Sequence, residues 1–226
     1  MTRITKHLVN LQKRIARAAA ASGRNENDVS VLAVSKRHGV DAIQEAWAAG
    51  LKAIGENYLQ EALAKMPRCD PEIEWHFIGK VQSNKTRPLA ENFDWVQTVA
   101  SSKVARRLND QRPEALAPLN ICLQINVDGS DHGGIDPADA ATLAAEIAEL
   151  PRLKLRGLMA IPAPGDDETS RRAPLRKLKQ LYDDLRREGY ALDTLSMGMT
   201  DDLEAAIAEG STMVRVGTAL FGPRPE

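Results

Sequence analysis

The chain has 226 residues, enough for one large domain, and its 30 Lys+Arg against 31 Asp+Glu leave a net charge of −1. So balanced a surface has no global field to recruit nucleic acid, and no run of about 18 apolar residues is present to cross a bilayer. Two isolated cysteines (Cys69, Cys122) and four scattered histidines (His7, His38, His76, His132) argue against a metal site and for a reducing, cytoplasmic compartment.

Met1 to Asn25 contains no acid and carries Arg3, Lys6, Lys13, Arg14, Arg17 and Arg24. That composition resembles an organellar transit peptide. Ile4, Leu8, Leu11, Ile15 and Ala18 nevertheless fall at helical spacing, which predicts a docked amphipathic helix over residues 1–21.

Val29 to Val34 is a short, nearly all-apolar, β-branched run between the polar cluster Ser22–Asp28 and Gly39. It reads as a strand buried on both faces, as in a parallel sheet. Lys36 stands where this strand leaves the sheet, beside Arg37. A lysine partly desolvated and next to another cation has its pKa lowered and offers a neutral amine to an aldehyde. The plain alternative is a solvated lysine that ends a strand.

Helical spacing follows over Val40–Ala49, stopped by Gly50, then a strand over Leu51–Ile54 that ends in Gly55-Glu56-Asn57. Leu59–Lys65 reads as a helix ended by Pro67, Ile73–Ile78 as the third strand, and a helix begins near Asn84. Asp94–Val99 is the fourth strand and Ser102–Asp110 the next helix. Leu119–Asn126 is the fifth strand, with a turn through Gly129, Gly133 and Gly134, and Asp136-Pro137 caps a helix to Leu150. Leu153–Ile161 is the sixth strand; Pro162–Pro174 reads as an exposed loop before a charged helix over Leu175–Glu188. Leu192–Met197, the helix Asp201–Glu209 and Met213–Val216 complete the pattern.

Eight strands interleaved with helices, without tight hairpins, predict a parallel sheet, and eight is the number that closes a TIM barrel. The expected fold is therefore a single α/β domain over residues 1–226, a (β/α)8 barrel with an extra N-terminal helix. An open doubly wound sheet is the alternative, but no G-x-G-x-x-G follows the first strand.

Active sites of such barrels gather at the carboxyl ends of the strands, and phosphate often binds after strands seven and eight. Those ends read Ser196-Met-Gly-Met-Thr-Asp201 and Arg215-Val-Gly-Thr218. Each joins a glycine, a hydroxyl and a helix start, with Thr200 where an N-cap would sit. Ordinary capping accounts for either turn alone, and Asp201 and Asp202 repel a phosphate unless they point outward. Two such turns together with Lys36 suggest a ligand bearing both a phosphate and an aldehyde, as pyridoxal 5′-phosphate (PLP) does. Arg215 then matters. Enzymes that use the ring as an electron sink supply an acid to its nitrogen, whereas arginine donates a hydrogen bond and keeps that nitrogen unprotonated.

Six stretches carry a wider resemblance: Ala33-Val-Ser-Lys36; Gly55-Glu-Asn-Tyr58; Trp75-His-Phe-Ile-Gly79 with Gln82-Ser-Asn-Lys85; Gly157-Leu-Met-Ala-Ile-Pro162; Leu195 to Asp202; and Gly210 to Thr218. With these the chain resembles the PLP homeostasis protein family of the YggS/PROSC type, which shares the barrel of the alanine racemase N-terminal domain. The resemblance implies that Lys36 forms the Schiff base with PLP, that Arg215 faces the ring nitrogen, and that Ser196, Thr200, Gly217 and Thr218 hold the phosphate. It also implies Asn57 near the cofactor, no catalytic residue and no metal, and a cytoplasmic, monomeric vitamin B6 carrier whose partners are PLP and PLP-dependent apo-enzymes. Thr200 stands where the family often has serine, and the fifth-strand loop Asp131-His-Gly-Gly-Ile135 lacks the lysine common there. The signature residues Trp75 and His76 have no assigned chemistry. Two other readings compete: a racemase-like PLP enzyme, for which Tyr58 is the one tyrosine placed to reach the site, and a Schiff-base aldolase, which has no need of Arg215.

Overall fold

The computed structural model describes residues 2–223; Met1 and residues 224–226, included in the expected domain, lie outside the described residues. Its eight strands are β1 (Ser30–Val34), β2 (Ala53–Glu56), β3 (Glu74–Phe77), β4 (Trp95–Val99), β5 (Leu119–Gln124), β6 (Leu153–Met159), β7 (Thr194–Ser196) and β8 (Met213–Val216). All pair in parallel and in chain order, and β8 returns to β1 with Leu32 opposite Arg215, closing a (β/α)8 barrel. The alternative of an open sheet is excluded by that last pairing.

Side chains alternate across each strand, so closure sorts them into two populations. Ala33, Ile54, Val96, Ile121, Leu158, Leu195, Val214 and Val216 face outward and join the main apolar core under the helices. The inward set forms two small apolar clusters, Leu32 with Val34, Ile78 and Met213, and Trp95 with Cys122 and Met159. Polar side chains fill the space between them: His76, Gln97, Ser196 and Arg215 are all buried. A barrel interior is usually a branched apolar core. Here its middle is polar.

The helical shell comprises α1 (Arg3–Ala21), α2 (Val40–Ala48), α3 (Leu59–Lys65), α4 (Thr86–Asn92), α5 (Ser102–Gln111), α6 (Ala140–Ala148), α7 (Glu168–Arg187), α8 (Leu203–Ala208) and α9 (Thr218–Phe221). α9 is one turn long and cannot cover the β8–β1 seam by itself. α1 completes the cover by packing on α2, α8 and α9. Its buried face holds the five predicted positions Ile4, Leu8, Leu11, Ile15 and Ala18, with Ala19 in addition. Each fully buried Leu or Ile there contributes about 1.5–3 kcal/mol. Polar pins fix the docking angle: Ile4 N–H donates to Glu45 (2.9 Å), Arg24 to the Ile207 carbonyl (2.8 Å) and Arg14 to the Thr200 carbonyl (2.9 Å).

Two expected helices differ in extent. α7 starts at Glu168 and runs through Pro174, where a loop was expected. Asp167 and Ser170 form a capping box, and Arg172 binds Glu209 (2.6 Å), so the first two turns are held although Pro174 removes one backbone donor. α8 begins at Leu203, two residues later than expected, because residues 199–202 are used by the loop after β7.

Candidate functional site

A cavity of about 300 Å³ opens at the carboxyl mouth of the barrel, lined by Val34, Lys36, Asn57, Ile78, Ile161, Met199, Thr200, Asp201, Arg215, Gly217 and Thr218. Six of the seven residues predicted to bind a cofactor therefore meet in one place, though they span four strand ends. Ser196 is the seventh, and the structure does not bring it into the lining.

Lys36 follows β1 and is half-buried. The turn that aims it is built by its neighbours. Ser35 N–H joins the Gly55 carbonyl (3.0 Å), and Ser35 Oγ donates to Glu56 Oε1 (2.6 Å). Arg37 adopts φ +64°, the left-handed region that side chains avoid, and its N–H donates to Glu61 (2.6 Å). Lys65 ties these pieces together: its Nζ lies 2.7 Å from Glu56 Oε1, 2.5 Å from Glu61 Oε1 and 3.1 Å from the Ser35 carbonyl. Glu56 is fully buried, and burial pushes its carboxyl up from the usual range against the pull of Lys65 and Ser35. Nothing in the spacing of Glu56, Glu61 and Lys65 marked this cluster; an i,i+4 Glu–Lys pair usually lies on a solvated face.

Asn57 follows β2 directly. Its backbone is pressed against the segment that follows β3, so close that a Cβ at Gly79 would lie 2.0 Å from the Asn57 carbonyl oxygen. Its side-chain Oδ1 is buried and has no hydrogen-bond partner among the described residues. Such an acceptor calls for a donor from outside the chain.

Arg215 comes from β8, is 4% exposed and reaches the floor of the cavity. Nη1 donates to the Ser196 carbonyl (2.7 Å) and hydroxyl (2.9 Å), and Nη2 to the Ala160 carbonyl (2.8 Å). No carboxylate forms a salt bridge with it among the described residues. Burial pulls its guanidinium down to about 10, which still leaves it charged at neutral pH. Ser196 Oγ is fully committed, accepting from Arg215 and donating to Gln97 Oε1 (2.6 Å). Its contact with the cavity runs through Arg215.

Thr200 does not cap α8; that position falls to Asp202, without a side-chain cap bond, and Thr200 lines the cavity instead. Asp202 Oδ1 instead accepts from Met199 N–H (2.6 Å), which turns that carboxylate to bracing its own loop. Asp201 stays exposed at the cavity rim. Gly217 precedes α9, where a Cβ would press on the Val34 carbonyl oxygen at 3.3 Å, and Thr218 opens the first turn. Thr200, Gly217 and Thr218, the last opening a helix, thus line one cavity with Lys36, Asn57 and the buried Arg215.

The donor set fits PLP by its chemistry: an amine for an aldehyde, hydroxyls and backbone N–H groups for a phosphate, a permanent cation for a ring nitrogen, and apolar walls for a ring. Both cysteines are free; burial pushes the Cys122 thiol up to about 12. No cluster of metal-ligating side chains occurs among the described residues. No helix among them is long and apolar enough to cross a membrane.

Comparison with known proteins agrees with this fold. Residues 7–225 match the family described as alanine racemase, N-terminal domain. The chain is 52% identical to the pyridoxal phosphate homeostasis protein of Pseudomonas aeruginosa, with 99% of this chain and 97% of the relative covered. It is 47% identical to the protein of the same name from Escherichia coli K12, covering 99% and 98%. PipY of Synechococcus elongatus, solved with PLP bound, is 36% identical and superposes with a TM-score of 0.85 over 97% of this chain and 100% of that one. The chain belongs to the pyridoxal phosphate homeostasis protein family, built on the barrel of the alanine racemase N-terminal domain.

Proposed function

We propose that this protein holds PLP in the Lys36 cavity and serves PLP homeostasis without turning over a substrate. The observation that carries the reading is the meeting of Lys36, Arg215, Thr200, Gly217 and Thr218 at one barrel mouth. When bound, PLP supplies an aldehyde that an amine captures as an imine with loss of water. Lys36 is the amine. Thr200, Thr218 and the backbone at Gly217 hold the phosphate, Asn57 offers its orphan oxygen to a donor, and Arg215 donates to the ring nitrogen. Ser196 acts through Arg215.

Carrying fits this site better than catalysis. A guanidinium cannot give the ring nitrogen a proton at neutral pH, so the ring remains a weak electron sink. Racemisation also needs a second acid/base group. The cavity lining contains no tyrosine: Tyr58 is exposed and lines the adjoining cavity with Asn57, and Tyr182, on the buried face of α7, donates to the Leu192 carbonyl (3.0 Å). The Arg215 side chain in the lining likewise disfavours an aldolase acting on a sugar phosphate. We further propose a cytoplasmic monomer that exchanges PLP with apo-enzymes; the two free cysteines suit a reducing compartment.

The test is optical. The purified protein incubated with PLP should absorb in the visible and bleach with borohydride, and Lys36→Ala should do neither while keeping its circular dichroism. A reducible PLP adduct at full occupancy in Lys36→Ala would place the anchor on another lysine.

A further inference from the structure

A chain of hydrogen bonds runs through the barrel interior that the cavity lining alone does not explain. Arg215 Nη1 lies 2.9 Å from Ser196 Oγ, Ser196 Oγ 2.6 Å from Gln97 Oε1, Gln97 Nε2 2.8 Å from His76 Nδ1, and His76 Nε2 2.7 Å from Glu74 Oε1. These side chains come from β8, β7, β4 and β3, and all but Glu74 are buried. Glu74, the first residue of β3, has a side chain 47% exposed at the amino end of the barrel, opposite the cavity. The chain therefore spans the barrel from one mouth to the floor of the other.

Donor counting gives it a direction. Guanidinium nitrogens only donate, so Ser196 Oγ accepts from Arg215 and spends its single proton on Gln97 Oε1. Gln97 must then turn its amide N–H groups toward His76 Nδ1 and Met213 Sδ (3.2 Å). His76 Nδ1 consequently carries no proton and Nε2 carries one, which it donates to Glu74. An imidazolium would require the Gln97 amide to reverse, leaving Ser196 Oγ between two donors with no acceptor for its own proton. The charged groups around His76 are Glu74 on its own strand, Asp94 before β4 and Arg156 on β6, and the ring stacks on Trp95 at 4.9 Å and 11°. Burial pulls the imidazole below its ordinary range, in keeping with a neutral ring.

We infer that Gln97 and His76 are positioning residues for the cofactor, holding Arg215 through Ser196 with Glu74 selecting the histidine tautomer. The inference rests on the reading that Arg215 faces the ring nitrogen of PLP. The physical logic concerns a buried cation. A carboxylate beside Arg215 would stabilise it but compete for its N–H groups and offer a proton path to the ring. A line of aligned neutral dipoles ending on a distant carboxylate stabilises the cation and leaves its cavity side unopposed.

The experiment titrates PLP and its 1-deaza analogue, in which C–H replaces the ring nitrogen, into the unmodified protein, Gln97→Leu and His76→Phe. The unmodified protein should prefer PLP over the deaza compound. Gln97→Leu should weaken PLP roughly tenfold and the deaza analogue less than about twofold, the loss of one buried charge-assisted contact being felt only where Arg215 has a partner. His76→Phe, which preserves the stack on Trp95, should fall between. Equal binding of the two ligands by the unmodified protein would remove the reading of Arg215 itself. Discrimination that persists unchanged in Gln97→Leu would remove the relay alone. Nitrogen NMR of the unmodified protein provides a check that needs no variant: His76 should show a protonated Nε2 and bare Nδ1 from pH 6 to 8. A protonated Nδ1 would overturn the relay.

Discussion

Arg215 Nη1 sits between the carbonyl and the hydroxyl oxygen of one residue, Ser196, at 2.7 and 2.9 Å. Both acceptors lie on the strand neighbouring β8, so the guanidinium is gripped from the side and its rotation is set before any ligand arrives.

Ser196→Ala should loosen that grip. One hydrogen bond to a charged group disappears, and binding should weaken by about 1.5–3 kcal/mol. Because the effect is carried by Arg215, pyridoxal without its phosphate should lose as much as PLP does in equilibrium titration. A loss confined to PLP would make Ser196 a phosphate ligand after all.

Thr200→Ala and Thr218→Ala should show the opposite pattern. Each should weaken PLP by about 1–2 kcal/mol, the worth of one charge-assisted hydrogen bond. Pyridoxal should notice neither. Parallel losses for both ligands would show that these hydroxyls do not reach the phosphate.

Lys65→Met tests the cluster under the Lys36 turn. It strands Glu56, fully buried, and should destabilise the fold by about 3–5 kcal/mol at pH 7, measured by urea unfolding. The sign with pH follows from Glu56, whose folded-state carboxyl is held above its ordinary value by burial. A raised carboxyl favours folding while protonated and loses that contribution as pH climbs through the folded value. Without Lys65 the rise is larger, so the defect should shrink on acidification from pH 7 toward pH 5. Glu56→Gln combined with Lys65→Met should recover much of the loss; a defect independent of pH would point to lost packing instead.

Solvent-deuterium exchange at the α-carbon of bound amino acids reports carbanion formation even where no product accumulates. The PLP-loaded protein should exchange no faster than free PLP under the same conditions. Rapid exchange would favour the racemase-like reading despite Arg215.

The sequence by itself determined the elements and most of the site. Short apolar β-branched runs alternating with helical spacing specify eight parallel strands, and the strand-end groups Lys36, Thr200, Arg215, Gly217 and Thr218 follow because barrel ligands collect at carboxyl ends, while Asn57 came only from the family resemblance. The buried face of α1 was equally plain, being a local property of helical period. Alternation even tells that His76, Gln97, Ser196 and Arg215 share a face with their strands' inward neighbours. Which inward groups touch is another matter. Only barrel closure, with its strand tilt and stagger, decides that β3, β4, β7 and β8 send their polar side chains to one level, and so links Glu74 to Arg215. The same holds for Lys65, whose charge reads as surface until β1 and β2 place Ser35 and Glu56 around it. Helical and strand periods act over a few residues, whereas these contacts join positions as far apart as Gln97 and Ser196 and exist only once the sheet has closed.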